Sequence, residues 1–274
     1  MLTLIVTQPW LGDKVDVLGQ LLYDECQDAE TRELLIELIN RFEYLNQDRY
    51  HLLMDEISTE IVSDPSLYQQ STLISAMSIG HNADSGQAIL YSLKVLLQKL
   101  KWTKHLLVND AMHALKTFKR NPQLKDIILV DEFVGSGKTV IDRVKTIKTQ
   151  FKNDNIDDFT IQVKVLASTK QGLLKIREQG IKITSQLVLN RGISDYYSSP
   201  IAEEKIDRML ELEKILSAEY NGRERPSLGY GKAEALYYRE NTNLPNSVFP
   251  IFWWAEYLNK KERETLLFRS MGDA

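Results

Sequence analysis

The chain has 274 residues, of which 43% are hydrophobic and 26% are charged, and its formal net charge is −4. These values are ordinary for a globular protein and exclude an intrinsically disordered chain. The acidic balance also argues against nucleic-acid binding by the surface as a whole, although it leaves room for a local basic patch. The single cysteine, Cys26, has no partner for an internal disulfide. We expect it to be a small buried hydrophobe in a reducing compartment.

No apolar run in the sequence reaches the roughly 18 residues that a membrane-spanning helix requires. Residues 1–6 are apolar, but they lack the basic region and the small-residue cleavage site of a signal peptide. The sequence therefore predicts a cytoplasmic protein with no membrane partner.

Residues 1–66 are predicted to form an N-terminal helical segment. Asp28 is a plausible helix N-cap, and apolar residues recur after it at helical spacing. They fall into two groups, Leu34, Leu35, Leu38, Ile39, Phe42 and Leu45, then Tyr50, Leu53, Met54, Ile57 and Ile61. The turn signal Ser63-Asp64-Pro65 ends the segment, so we expect a second domain over residues 67–274.

Within residues 67–274, short apolar strands alternate with helical patterns. The predicted strands are 73–78, 104–108, 127–130, 159–167 and 181–189. The predicted helices are 87–100, 138–151, 170–179 (closed by Gly180), 201–220 and a C-terminal helix over 260–270. Such alternation predicts an α/β fold with a mostly parallel, doubly wound sheet and the helical segment as an extension.

The most informative stretch follows the strand at 127–130. Asp131 and Glu132 come first, and the loop Val134-Gly135-Ser136-Gly137-Lys138-Thr139 then opens a helix. Glycines let backbone amides converge, and a helix N-terminus adds partial positive charge, so this loop is suited to binding phosphate. The adjacent carboxylates are suited to accepting hydrogen bonds from two vicinal hydroxyls of a sugar.

Two other interpretations of this stretch remain open. Gly137-Lys138-Thr139 has the end of a P-loop, but that motif requires a glycine where Glu132 stands. An ordinary strand-turn-helix with a solvated acid pair is the other alternative.

An earlier loop has a similar setting. The strand at 73–78 runs into the polar, glycine-containing residues 79–86, and a helix follows. This loop is either a plain connection or a second binding loop. In the second case its candidate ligand-binding residues are Gly80, His81, Asp84, Ser85 and Gly86, and an imidazolium at His81 would suit an anionic ligand.

Residues 99–125 are rich in basic side chains. Lys99, Lys101, Lys104, Lys116, Lys119, Arg120 and Lys125 are opposed only by Asp110. The run is either a solvated surface or the approach path of a phosphate-rich or nucleic-acid substrate.

Near the C-terminus, Leu228-Gly-Tyr-Gly and Asn241-Thr-Asn-Leu-Pro-Asn precede the aromatic run Phe249-Pro-Ile-Phe-Trp-Trp254. A loop so rich in Asn, Thr and Pro cannot form a regular helix or central strand, and it is either an elaborate turn or a rigid recognition loop. Asn241, Thr242, Asn243 and Asn246 are the candidate ligand-binding residues in it.

From Asp131 to Thr139 the chain resembles the loop of type I phosphoribosyltransferases that binds phosphoribosyl pyrophosphate (PRPP). With the helical N-terminus and the late Asn-rich motif, it is similar to phosphoribosyltransferase-like effectors of bacterial conflict systems, some of which accompany reverse transcriptases in retron antiphage loci. The resemblance covers about residues 30–258. It implies a type I phosphoribosyltransferase fold, in which Asp131 and Glu132 contact ribose. Residues 134–139 would hold the 5-phosphate, residues 80–86 the pyrophosphate, and residues 241–246 would border the acceptor.

The resemblance further implies PRPP or a related ribose phosphate as ligand and Mg²⁺ as cofactor, with Asp131 and Glu132 as possible metal ligands. It allows an inhibitory partner, a reverse transcriptase or a structured RNA–DNA molecule, and a toxic effector acting at a ribose anomeric carbon. A non-catalytic module that binds PRPP or a nucleotide is the alternative. Gly135 stands where purine-salvage enzymes carry an aspartate base, so purine salvage is not expected.

Overall fold

The computed structural model of the protein describes residues 1–78 and 85–270. The helices are α1 (Leu2–Thr7), α2 (Val15–Gly19), α3 (Ala29–Asn40), α4 (Gln47–Ser63), α5 (Ser85–Lys99), α6 (Ala111–Arg120), α7 (Lys138–Asn153), α8 (Lys170–Glu178) and α9 (Ser199–Glu213). The strands are β1 (Glu43–Leu45), β2 (Thr72–Ala76), β3 (Leu106–Val108), β4 (Asp126–Val134), β5 (Thr160–Thr169), β6 (Lys182–Leu189), β7 (Glu219–Tyr220), β8 (Arg223–Glu224) and β9 (Tyr237–Arg239). No helix in these ranges combines the length and apolarity needed to cross a membrane.

The chain forms two compact units that differ from the predicted domains 1–66 and 67–274. One unit is residues 47–188, and the other joins residues 1–46 to residues 189–274. The difference arises from tertiary pairing. Strand β1 pairs in parallel with β9, almost two hundred residues away, whereas α4 packs against α5 and β5.

The unit of residues 47–188 is built on a parallel five-stranded sheet in the order β3-β2-β4-β5-β6. The predicted α/β class and doubly wound sheet are therefore confirmed. Of the five strands in this sheet, β2 comes first in the sequence. Strand β3 lies on one side of it and β4 lies on the other. The chain thus reverses its winding direction between β2 and β4. In open parallel sheets, ligands bind outside the carboxyl ends of the strands at such a reversal.

Helices cover both faces of this sheet. Helices α4 and α5 lie on one face, and α6, α7 and α8 lie on the other. Under α6 to α8 the core contains apolar side chains from the sheet and from each of these three helices, among them Phe118, Ile127, Leu129, Val144, Ile147, Phe151, Val165 and Ile176. Burial of a side chain of this size stabilises the fold by roughly 1.5–3 kcal/mol.

An ion pair between a buried lysine and a partly exposed glutamate lies on the α4 face. The Lys164 ammonium on β5 donates to Glu60 Oε1 of α4 at 2.6 Å, and the Lys164 side chain is only 2% exposed. Glu60 Oε2 also accepts from Gln186 Nε2 of β6 at 2.7 Å. Burial alone would raise the pKa of Glu60, but these hydrogen bonds outweigh it and lower the pKa. Glu60 therefore stays ionised opposite Lys164 at neutral pH.

The unit of residues 1–46 and 189–274 has an aromatic core and its own buried ion pair. Phe249, Phe252 and Trp254 are fully or almost fully buried. Arg263 donates to both carboxylate oxygens of Glu25, at 2.9 and 2.7 Å, and both side chains are less than 10% exposed. Cys26 is buried, as predicted.

Several predicted elements have different bounds. The predicted helix over residues 260–270 is wrong: this segment is irregular, with an antiparallel bridge between Glu256 and Glu262. The reason is the Arg263 side chain, whose bonds to Glu25 draw it inward. Helix α9 ends at Glu213 instead of residue 220. Asp28 caps α3 as predicted and accepts from Thr31 N, but Phe42 and Leu45 lie beyond its end.

Glu213, at the end of α9, is a fully buried acid. Its Oε1 accepts from the Leu228 amide at 3.1 Å, and Arg225 donates to the Glu213 carbonyl at 2.6 Å. Burial outweighs these favourable interactions and raises the pKa of Glu213 from 4.5 to about 7. The folded protein thus keeps a proton on Glu213 at pH values where the unfolded chain has lost it.

This shift predicts a pH-dependent stability. Between pH 4.5 and about 7 the free energy of unfolding should fall as pH rises, by about 3 kcal/mol, because only the unfolded state has released the proton. Glu213→Gln stays neutral and should remove this slope. Chemical unfolding of both proteins at pH 5 and pH 8 measures it, with exposed Glu211→Gln as control. An equal difference between wild type and Glu213→Gln at both pH values would contradict the prediction.

Candidate functional site

The candidate site lies at the carboxyl ends of β2 and β4, where the sheet reverses its winding. β4 leads into residues 135–137 and then α7, whereas β2 leads towards α5. Ser85, the first residue of α5, donates from Oγ to Asp131 Oδ1 at 3.1 Å. The structure therefore brings one residue of the first predicted loop into contact with the acid pair.

The two acids lie inside β4 and not after it, because the strand continues to Val134. Successive side chains of a strand point to opposite faces, so Asp131 and Glu132 diverge. Asp131 is half-buried, and its Oδ1 accepts from the Glu132 amide at 2.7 Å. The Glu132 residue is only 3% exposed. Asp131 is therefore the more accessible carboxylate for a ligand.

Residues 135–137 turn the chain from β4 into α7. Gly137, the N-cap of α7, has φ +79° and is buried. Its carbonyl accepts the first helical bond, from Ile141 N at 3.1 Å. Val134 is buried before the turn, Gly135 and Ser136 are half-buried within it, and Lys138 and Thr139 are exposed after it. The N-terminus of α7, whose first amides have no acceptor within the helix itself, thus follows the acid pair directly, as in a phosphate-binding loop.

A neighbouring strand holds this turn in place, through residues that the sequence analysis missed. Thr169 Oγ1, at the end of β5, donates to the Gly135 carbonyl at 2.6 Å and accepts from Gly172 N at 3.0 Å. A Cβ on Gly172 would lie 2.0 Å from the same carbonyl oxygen. Only glycine permits this approach. The one sequence signal for this close approach is the presence of a glycine in the first turn of a helix.

The segment after β2 is also fixed by long-range bonds. The Met77 amide donates to the Val130 carbonyl at 2.9 Å, and the Met77 carbonyl accepts from Arg143 Nε of α7 at 2.9 Å. The Ser78 carbonyl accepts from Ala111 N at 3.1 Å. Arg143 was not predicted, since a basic residue on a helix gives no sequence signal for this contact. The predicted residues Gly80, His81 and Asp84 lie outside the described residues, and Gly86 is buried in α5.

The predicted residues 241–246 belong to the other unit and are tied into its backbone. Thr242 Oγ1 donates to the Arg239 carbonyl at 2.7 Å, and Asn243 Oδ1 accepts from Ser270 N at 2.8 Å. The Asn246 carbonyl accepts from Tyr230 N at 2.8 Å, and Asn241 has φ +58°. These hydrogen bonds hold the loop in place, which agrees with either interpretation of its sequence, an elaborate turn or a rigid recognition loop. Its role towards an acceptor stays a prediction.

The acid pair is a plausible place for a metal ion. Among residues 1–78 and 85–270, no three His, Cys, Asp or Glu side chains are grouped as an all-protein metal site would require. Mg²⁺ often binds through one or two carboxylates, with ligand phosphates and water completing its octahedron. Of the two acids, the accessible Asp131 fits that kind of site, whereas Glu132 is buried and points to the opposite face of β4.

Comparison with known proteins identifies a family. The sequence model of the PRTase-CE family matches residues 20–269 of the chain. No curated protein matches the chain in sequence.

Solved structures with similar folds include several phosphoribosyltransferases. Orotate phosphoribosyltransferase from Aeropyrum pernix is 14% identical over 52% of this chain and 72% of its own, with a TM-score of 0.33. The xanthine-guanine-hypoxanthine phosphoribosyltransferase of Helicobacter pylori is 13% identical over 54% and 84%, with a TM-score of 0.32. A hypothetical protein from Neisseria gonorrhoeae with bound ppGpp is 16% identical over 62% and 97%, with a TM-score of 0.34.

The close approach at Gly172 predicts a specific weakness. Gly172→Ala should displace the turn at Gly135 and lower the free energy of unfolding by about 1–3 kcal/mol, although alanine is the better helix former. Gly12→Ala is the matched control, because nothing lies within 4 Å of its added Cβ. Chemical unfolding compares the two. Equal stability of the two variants would mean that the turn moves freely.

Proposed function

The chain belongs to the PRTase-CE family, and we propose that this phosphoribosyltransferase-like protein binds PRPP or a related ribose phosphate and acts at the ribose anomeric carbon. In this proposal Asp131 and Glu132 are the catalytic acids. Residues 134–139 bind the 5-phosphate. The predicted binding loop that includes Gly80, His81 and Asp84 and ends at Ser85 and Gly86 is proposed to bind the pyrophosphate.

The observation that carries the proposal is the order of groups along β4, its turn and α7. A sugar phosphate has hydroxyls at one end and a dianion at the other. The accessible Asp131 carboxylate accepts from hydroxyl donors, and the amides at the start of α7 donate to phosphate oxygens. Both groups lie where the sheet reverses its winding, which is the expected ligand position in such folds.

The two acids have different tasks in this proposal. Asp131 contacts the ribose hydroxyls and lies near the positive charge that develops as the anomeric bond breaks. Glu132 is almost completely buried and therefore does not contact the ribose in this proposal. Its negative charge adds to that of Asp131 from inside the fold. Gly135 has no acid to offer as a base, and the acceptor is therefore proposed to be a group that needs no purine-specific base.

Mg²⁺ is the proposed cofactor. When bound, it would neutralise charge on the departing pyrophosphate. The accessible Asp131 carboxylate would hold it. With or without Mg²⁺, residues of the chain orient the ribose and the phosphate.

The structure disfavours the P-loop alternative. Lys138 Nζ pairs with Asp142 at 2.6 Å along the exposed side of α7. A P-loop lysine must instead reach back over its own loop to the terminal phosphates. Glu132 occupies the place of the first glycine, so we propose no nucleotide hydrolysis.

We expect PRPP with Mg²⁺ to stabilise the protein against heat. Ligand at about a hundred times its dissociation constant adds about 2.7 kcal/mol, which corresponds to roughly 5 °C or more for a protein of this size. Asp131→Asn/Glu132→Gln should abolish this shift, because the ribose loses its acceptors. Thermal unfolding with and without ligand measures both.

The control variant is Asp157→Asn/Asp158→Asn, which neutralises an adjacent exposed acid pair before β5. It should keep the full shift. A wild-type protein that does not respond to PRPP, or a double variant at 131 and 132 that responds normally, contradicts the proposal. Binding without turnover on any acceptor would support the non-catalytic alternative.

The effector role is a further part of the proposal, and the resemblance of the Asn-rich late motif to conflict-system effectors supports it. We propose an antiphage toxin that a reverse transcriptase or a structured RNA–DNA partner holds inactive. Expression of the chain alone should slow bacterial growth, and Asp131→Asn/Glu132→Gln should restore it. Growth curves at matched protein levels test this, and equal toxicity of both proteins would contradict it.

A further inference from the structure

The two helical layers on the sheet of residues 47–188 differ strongly in charge. Helices α6, α7 and α8 contain eleven Lys and Arg residues against two Asp and Glu, a net charge of +9. Helices α4 and α5 on the opposite face have a net charge of −1. Because the whole chain carries −4, the positive charge of the protein is concentrated on one layer. Such a concentration attracts polyanions even when the overall charge is negative.

Helix α7 carries five of these eleven basic residues, more than α6 or α8. Lys145, Lys148 and Lys152 are exposed and follow one another at intervals of three and four residues. Residues at this spacing lie on the same side of a helix. At a rise of about 1.5 Å per residue, the three ammonium groups extend over about 10 Å. We call these three residues the lysine stripe.

The lysine stripe lines a surface groove. A cavity of about 290 Å³ is bounded by the stripe, by Thr149 and by Gln179 after α8, with Ile141, Val144 and Ile181 at its floor. Its walls therefore offer ammonium, hydroxyl and amide groups, which all donate hydrogen bonds. These are the groups that proteins use to contact phosphate oxygens of a nucleic-acid backbone.

Within the described part of the chain, the three lysines of the stripe form no ion pair. No carboxylate in residues 1–78 or 85–270 pairs with any of the three. Other lysines of the same layer are paired: Lys119 with Asp154 at 2.7 Å and Lys138 with Asp142 at 2.6 Å. The stripe is thus the part of the basic layer whose charge stays available to a partner.

The chemistry of α7 favours nucleic acid over a membrane surface. Every exposed side chain of α7 is Lys, Thr, Asp or Asn. A membrane-binding helix combines basic residues with a large apolar face, and the isolated exposed residues Met112 and Leu174 on α6 and α8 do not form one. α7 also exposes no aromatic ring on which an unpaired base could stack, which favours a double helix over a single strand.

We propose that the α6–α7–α8 layer binds the phosphate backbone of double-helical nucleic acid, with the lysine stripe as its centre. Lysine contacts phosphate as a point charge, without the paired geometry by which arginine reads guanine. Binding therefore does not depend on base sequence. The inference rests on charge and groove geometry alone, and it holds whether or not the candidate site at Asp131 binds PRPP.

The experiment uses the full chain and a fluorescently labelled duplex of about 20 base pairs, as DNA and as RNA, over a series of salt concentrations. Each phosphate neutralised on DNA contributes about −0.9 to the slope of log affinity against log salt. Lys145→Gln/Lys148→Gln/Lys152→Gln should reduce the magnitude of that slope by about 2.7 and the affinity at low salt by at least about tenfold.

The matched control is Lys94→Gln/Lys232→Gln/Lys261→Gln, which removes three exposed lysines outside both the basic run of residues 99–125 and helices α6, α7 and α8. It changes the net charge equally and should leave the slope unchanged. Unchanged melting temperatures, and an unchanged response to PRPP, would show that the stripe variant is folded. Wild-type protein that binds neither duplex at low salt overturns the proposal. So does equal loss in both variants, or stripe-dependent binding only to vesicles containing phosphatidylserine.

Discussion

The candidate site depends on one close approach between two backbones. The Gly135 carbonyl, in the turn after β4, accepts a hydrogen bond from Thr169 Oγ1 and lies where a Cβ on Gly172 would stand. This contact joins the ends of the central strand β4 and its neighbour β5. Since α7 begins three residues after Gly135, the contact also fixes the direction in which its N-terminal amides point. The contact thus keeps the N-terminal amides of α7 next to the acid pair.

The pleat of β4 separates two acids that look equivalent in the sequence. Asp131 and Glu132 are neighbours, but alternation along the strand sends their side chains to opposite faces. Asp131 stays half-exposed beside Ser85, and Glu132 is almost completely buried. The proposed chemistry therefore uses one acid for contact and the other for its charge. An acid pair inside a strand thus differs from an acid pair on a loop, where both side chains would reach solvent.

The same helix serves two purposes in our proposals. The N-terminus of α7 offers amides to a small phosphate, and its exposed side offers lysines to the phosphates of a long polymer. Both rest on attraction between positive groups of the protein and phosphate oxygens. The two proposed sites differ in size. At the N-terminus of α7 a few amides surround one phosphate dianion, whereas the lysine stripe offers three ammonium groups along a groove. The acidic remainder of the chain confines nucleic-acid contact to this layer.

Periodicity and glycine placement in the sequence were enough to determine the α/β class, most element positions and the turn from β4 into α7 at residues 135–137. These features depend on residues close together along the chain, where apolar spacing and glycine placement report directly on local geometry. Tertiary structure alone decided the pairing of β1 with β9, and with it the division into units. It also decided the partners Thr169, Gly172 and Arg143, and the irregular end that Arg263 imposes. These features depend on hydrogen bonds between residues about thirty to more than two hundred positions apart, and no local pattern records which distant group a side chain will meet.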